Sequence, residues 1–280
     1  MIGVMQKYAD LHVHTNASDS IYSAENVLRV AKAAGLAAVG ICDHDSINGI
    51  RAAIDAEKKY DVEVVPGIEL STEIEDMEVH ILGYFFEWEN KQFQALLKTI
   101  QQVRVWRAEL MVSKLQQIGL RMDFQEVLRK SEGGSIGRPH IARVMLERGY
   151  VKTNEEAFEK YLKYGAAAYV DKYEMSPEQA VYQITRLKGV PVLAHPKFSP
   201  FGEDVLARLV QMGLKGIEVY HARHNAEEAK MYLAIADKYG LIPTGGSDSH
   251  GEEDPIGCSK VSYEIVERLK AERRKLLFGA

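Results

Sequence analysis

AAVGICDHDSINGIRAAIDAEKKYDVEVVPGIEL, residues 37–70, sets an apolar run, a helical stretch and a second apolar run in direct succession. Residues 37–42 and 62–68 are rich in the β-branched side chains of strands, and residues 48–60 carry the spacing of an amphipathic helix. This is a βα unit, and both of its strands end in titratable residues: Asp43-His44-Asp45 after the first and Glu69 after the second. Working outward, Asp10-Leu11-His12-Val13-His14 ends an earlier strand, and alternation along a strand turns His12 and His14 to the same side. Downstream, a further apolar run covers 79–86. Residues 90–176 then read as helical, with almost no strand candidates. The βα rhythm returns with strands at 190–194, 216–220 and 241–245, helices at 203–212 and 226–239, and a charged outer helix at 263–278. We expect an α/β fold: a closed or nearly closed barrel formed by 1–90 and 177–280, with 91–176 as a small all-helical insertion domain that caps the substrate.

Composition narrows the function. A 280-residue chain that is 46% hydrophobic can fill a barrel-sized core. Its 35 basic and 40 acidic residues give a net charge of -5, so no global positive field draws it to nucleic acid or an anionic membrane. The two cysteines, Cys42 and Cys258, lie far apart in apolar surroundings and suggest neither a disulfide framework nor a thiolate metal site. The opening residues show no leader, and no long apolar run occurs. The expectation is a cytoplasmic enzyme without an obligate protein partner.

Polar residues recur where strands end: His12, His14, Asp43, His44, Glu69, His195, Asp248 and His250, with His80 inside the run 79–86 and Asp19 in a polar loop. Any one of them is explained by a local hydrogen bond. Together, on the rim to which a barrel brings its carboxyl strand ends, they suggest a cation site. Nitrogen and oxygen ligands without thiolate suit Mn, Fe, Zn or Co.

The ordered set DLHVHTNASDS, CDHDS, PGIELS, EVHILGY, LAHP and GGSDSHG resembles the PHP (polymerase and histidinol phosphatase) superfamily. That resemblance implies a distorted (β/α)7 barrel holding two or three divalent cations, with Mn favoured and Fe, Zn, Co or Mg as the other choices. His12, His14, Glu69 and Asp248 would hold the first, Glu69, His80 and His195 the second, and Asp19, His44 and His250 a third. The insertion carries Ser135-Ile136-Gly137-Arg138-Pro139-His140, after a helix with Arg104 and Arg107. It is similar to the helical domain of PHP phosphoesterases that act on 3',5'-nucleoside bisphosphates such as pAp and on 5'-phosphorylated short RNA. Ser135, Arg138 and His140 then become substrate contacts, the guanidinium offering a planar fork of donors to phosphate. The plain alternative is a helix start with proline at its first position.

Lys197 is a further substrate candidate. Of His221 and His224, which follow the strand at 216–220, His224 is preferred as a substrate contact or proton donor, alongside His195 and Arg138 in catalysis. Gly245-Gly246 reads as a close-packed turn that lets Asp248 approach the cations. Histidinol phosphate or nucleoside monophosphate hydrolysis is the alternative enzyme reading, and a non-catalytic PHP module is the alternative of another class.

Overall fold

The computed structural model describes residues 6–74, 77–171, 175–198 and 202–279, so most of the opening read above for a leader, residues 1–5, lies outside them. The chain runs β1 (Tyr8–Val13), α1 (Ala24–Ala33), β2 (Ala38–Ile41), α2 (Asn48–Tyr60), β3 (Glu63–Ile74) and β4 (Met77–Tyr84), then the helices α3 (Lys91–Gln117), α4 (Phe124–Lys130), α5 (Arg138–Glu147) and α6 (Asn154–Ala157). A π-helical turn, Phe158–Leu162, extends α6. After α7 (Pro177–Arg186) come β5 (Val190–Leu193), α8 (Glu203–Gln211), β6 (Gly216–His221), α9 (Ala226–Tyr239), β7 (Ile242–Gly246), β8 (Val261–Ser262) and α10 (Glu264–Phe278).

The eight strands lie in the order β7-β6-β5-β4-β3-β2-β1-β8. Beyond β7 the chain returns to β1: the Asp248 N–H donates to the His12 carbonyl at 2.8 Å and the His14 N–H to the Ser249 carbonyl at 3.1 Å, which nearly closes the barrel. One glycine permits this approach: a Cβ on Gly246 would stand 2.4 Å from the His12 nitrogen, so a larger residue would force the seam apart. Gly245 does the same for the β6–β7 pair, where a Cβ would stand 2.3 Å from the Tyr220 carbonyl oxygen. The expected barrel is therefore present, with one reversal. β4 is antiparallel to both β3 and β5, and its amino-terminal half reaches the rim where the parallel strands end. This is why His80, early in β4, joins residues that follow β1, β2 and β5.

Apolar residues fill the barrel, among them Leu11, Cys42, Leu82, Tyr84 and Val192, and helices cover its outside. α3 serves two cores: Phe93, Leu97 and Ile100 pack with the barrel cover, whereas Ala108, Met111, Val112 and Leu115 pack with α5 and its neighbours. The expected division at residue 91 falls at the start of this helix, and the packing changes partners between Ile100 and Ala108. No strand occurs between β4 and β5 among the described residues. Cys42 is buried, but Cys258 is exposed rather than apolar in its surroundings. No described helix is long and apolar enough to cross a membrane.

Candidate metal centre

Glu69 is the hub of the rim. Completely buried, it places Oε1 2.7 Å from His80 Nδ1 and 2.9 Å from His195 Nε2. Its Oε2 lies 3.0 Å from His44 Nδ1 and 3.3 Å from both His12 Nε2 and His14 Nε2. Across the seam, Asp248 Oδ1 stands 3.3 Å from His12 Nε2 and 3.0 Å from His14 Nε2. Asp19 Oδ1 lies 3.2 Å from His250 Nε2, and its Oδ2 is 4.0 Å from His44 Nε2.

Three groups converge closely enough for each to share a cation: His12, His14, Glu69 and Asp248; His44, Glu69 and His80; and His14, Asp19, His44 and His250. Eight of the nine expected ligands thus fall into these groups. Two details differ from the sets implied by resemblance: His14 and His44 each belong to two groups, and His195 touches Glu69 without entering the second group.

The polar atoms themselves indicate what is held here. His14 Nδ1, Asp19 Oδ1, His80 Nε2 and His195 Nδ1 are buried and make no hydrogen bond. His44 Nδ1 and Glu69 Oε2 face one another at 3.0 Å without hydrogen-bond geometry. Such a concentration of unmet buried groups is costly unless cations satisfy it. The field points the same way. Burial pushes Glu69 upward, but His44, His80 and His12 outweigh it and hold the carboxyl well below its usual range. Burial lowers His14, yet bonds to Asp248 and Glu69 raise it to about 10, whereas burial dominates at His44 and takes it to about 3. Carboxylates that stay ionised at full burial, ringed by imidazoles, make a site that attracts positive charge.

Local chemistry explains how the ligands are held. Asp43 accepts from the Thr15 N–H at 2.7 Å and from the Thr15 and Ser18 hydroxyls at 2.8 and 2.7 Å, which fixes the loop that carries Asp19. Asp10 ties β1 to the segment after β7 by accepting from the Ser247 and Gly257 N–H groups. Glu218, fully buried on β6, lies 3.2 Å from His12 Nδ1 and accepts from the His195 N–H at 2.8 Å; such a partner fixes the ring orientation of a metal-ligating histidine. Sequence reasoning missed Glu218. Its signal was a lone carboxylate inside the apolar run 216–220. Asp45, His195 and Asp248 all adopt positive φ, backbone strain concentrated where strands meet the site.

The expected substrate residues are placed less uniformly. His221 reaches Asp248 Oδ2 at 3.4 Å, whereas His224 lies behind it and directs Nδ1 at the Val219 carbonyl, 3.0 Å away. The nearer imidazole is therefore not the preferred one. His140 is buried and accepts the Gly137 N–H at 3.0 Å, so it caps α5 instead of facing solvent. Arg138 pairs with Glu78, and its guanidinium lies 5.4 Å from the Phe158 ring centre. The Ser135 hydroxyl is buried without a hydrogen-bond partner. Lys197 donates to the Arg223 carbonyl at 2.9 Å and pairs with Glu228, away from the cluster. Arg104 is committed to the barrel: its Nε donates to Asp45 Oδ2 at 2.8 Å, Nη2 to the Ser71 hydroxyl at 2.8 Å, and Nη1 to the Ile136 carbonyl at 3.1 Å. Between barrel and insertion a cleft of about 680 Å³, lined by Asp248, His250, Pro139, Phe158 and Phe198 among others, opens at the cluster.

Residues 10–175 match the PHP domain. The chain belongs to this family. It is 31% identical over 276 residues to a 3',5'-nucleoside bisphosphate phosphatase of Chromobacterium violaceum, covering 93% of this chain and 97% of the relative. A 5'-3' exoribonuclease of Haemophilus influenzae is 30% identical over 250 residues, covering 88% of this chain and 91% of that one. A solved structure from Bifidobacterium adolescentis, described as a candidate metal-dependent phosphoesterase, shares the fold with a TM-score of 0.89 at 27% identity, covering 96% of each chain. Family and cluster together make this PHP protein a hydrolase of phosphate esters that works with divalent metal ions.

Proposed function

We propose that this PHP protein removes the 3'-phosphate of 3',5'-nucleoside bisphosphates such as pAp in the cytoplasm, with three cations, Mn favoured, at the three ligand groups. The observation that carries the reading is the cleft, which joins the cluster to the insertion's Pro139 and Phe158 and is large enough for a nucleotide. Bound divalent ions supply a water of lowered pKa and neutralise charge on the phosphoryl oxygens. The chain's part is positional. Glu69 fixes His80 and His195 through one oxygen, Glu218 orients His12, and the Asp43 loop presents Asp19.

Arg138 is the contact for the second phosphate, which takes the place of Glu78 against the guanidinium. A fork of donors favours such an exchange, since phosphate accepts more strongly than one carboxylate edge. The 5'-3' exoribonuclease relative supports activity on short 5'-phosphorylated RNA through the same centre. Two unpaired cysteines fit a reducing compartment.

The test is phosphate release in Mn²⁺ from pAp, AMP, histidinol phosphate and a short 5'-phosphorylated RNA, compared by kcat/KM. A clear preference for pAp is expected. Preference for histidinol phosphate would leave the metal chemistry standing and overturn the substrate.

A further inference from the structure

The lips of the cleft carry an excess of negative charge. Glu155 and Glu159 stand exposed on the insertion side, and the segment after β7 presents exposed Glu252 and Glu253 with half-buried Asp254. Besides the ligand Asp248, five acidic residues thus line the cleft against two basic ones, Arg143 and Arg223. Both arginines are engaged: Arg143 donates to the Asp19 carbonyl, and Arg223 holds Asp254 at 2.7 Å. Glu159 pairs with Lys163, while Glu252 and Glu253 face solvent at the mouth. The rest of the lining is different. Phe158, Phe198 and Pro139 offer apolar surface beside the ligand cluster, suited to the face of one base.

We propose that this acidic collar is a size filter, which admits a single nucleoside bisphosphate and repels the phosphodiester tail of a longer RNA. The inference rests on the nucleotide-phosphatase reading and sets how long an RNA the same centre accepts. A mononucleotide brings its phosphates inside, to the cations and Arg138. An oligonucleotide must pass further phosphates between lips of like charge, a repulsion that salt screens. A second cavity, reached past Arg143 and lined by Arg129, Lys130 and Arg148, is the other path for a tail. There Lys130 is paired with Glu147 and Arg148 with Glu126, so the positive strip is broken.

The test compares kcat/KM on pAp and on a 5'-phosphorylated RNA ten nucleotides or so long, from ~50 to ~300 mM salt, in the wild type and in Glu252→Lys/Glu253→Lys. In the wild type, RNA turnover should rise with salt relative to pAp. At low salt, charge reversal should raise the RNA-to-pAp ratio about tenfold, and an unchanged urea-unfolding midpoint reports an intact fold. AMP takes the place of pAp if the bisphosphate is refused, so a wrong substrate and a wrong filter give different results. RNA turnover that matches pAp at low salt, with a ratio indifferent to charge reversal, overturns the proposal. So does a large loss of RNA turnover in Arg129→Glu/Lys130→Glu, since the tail would then follow the second cavity.

Discussion

The barrel rim and the helical insertion are both rich in polar side chains but use them in opposite ways. On the rim, five imidazoles crowd at 2.7 to 3.3 Å around Glu69, and several buried atoms of the cluster make no hydrogen bond. In the insertion, Arg104, Arg107, Arg138 and His140 each have a protein partner. The rim is incomplete without cations. The insertion is largely complete by itself, and it must give up a contact, such as Arg138 to Glu78, before it can grip a substrate. Changes at the rim should therefore alter chemistry and metal content together, while changes in the insertion should alter stability or substrate choice.

The largest expected effect is at Glu69. Glu69→Gln removes the charge that faces His12, His14, His44, His80 and His195, and should cost more than the roughly 10–100-fold carried by partners that only orient ligands. Turnover and metal content, measured side by side, check it; normal metal content with full activity would break the contrast. Next is Asp45→Asn. Its partner Arg104 would keep a mostly buried charge without a counter-ion, at a cost of about 3 kcal/mol, read by urea unfolding at saturating Mn²⁺. A negligible loss would mean that the insertion is not fastened through this pair. Glu218→Gln should follow, with a 10–100-fold fall in metal affinity and little change in the folded structure, as measured by metal titration. An unchanged affinity would remove Glu218 from the support of His12.

Much of this site could be read from the sequence because polar residues interrupt apolar runs: Asp43-His44 follows one, Glu69 follows another although β3 continues past it to Ile74, and His12 and His14 alternate at the end of β1. The barrel was legible for the same reason. The reversal of β4 was not, since an apolar run carries no mark of direction, and only the rim position of His80 reveals it. Glu218 escaped because a buried carboxylate within a strand looks like noise until His12 Nδ1 is found beside it. The preference for His224 over His221 was made without their orientation: His221 ends β6 and turns to Asp248 across the seam, whereas His224, in the turn that follows, is held by the nearby Val219 carbonyl. His140 suited a phosphate motif equally well as a cap, and the Gly137 N–H claimed it.

The smallest expected effect bears most directly on what the insertion is for. In Arg138→Ala, loss of one charge-assisted contact should lower kcat/KM for pAp about tenfold while an aryl phosphate, which has no second anion, is hydrolysed almost as before. Because the substitution also removes a positive charge from beside Glu78, a carboxylate near His80, a purely electrostatic disturbance of the rim would slow both substrates equally. Glu78→Gln separates the two causes: releasing Arg138 from its partner should improve pAp relative to the aryl phosphate if the guanidinium is a phosphate contact held in reserve. Equal losses in Arg138→Ala, with no gain in Glu78→Gln, would place Arg138 among the residues that merely hold the insertion together. Selectivity would then have to come from the cleft's lips and aromatic wall.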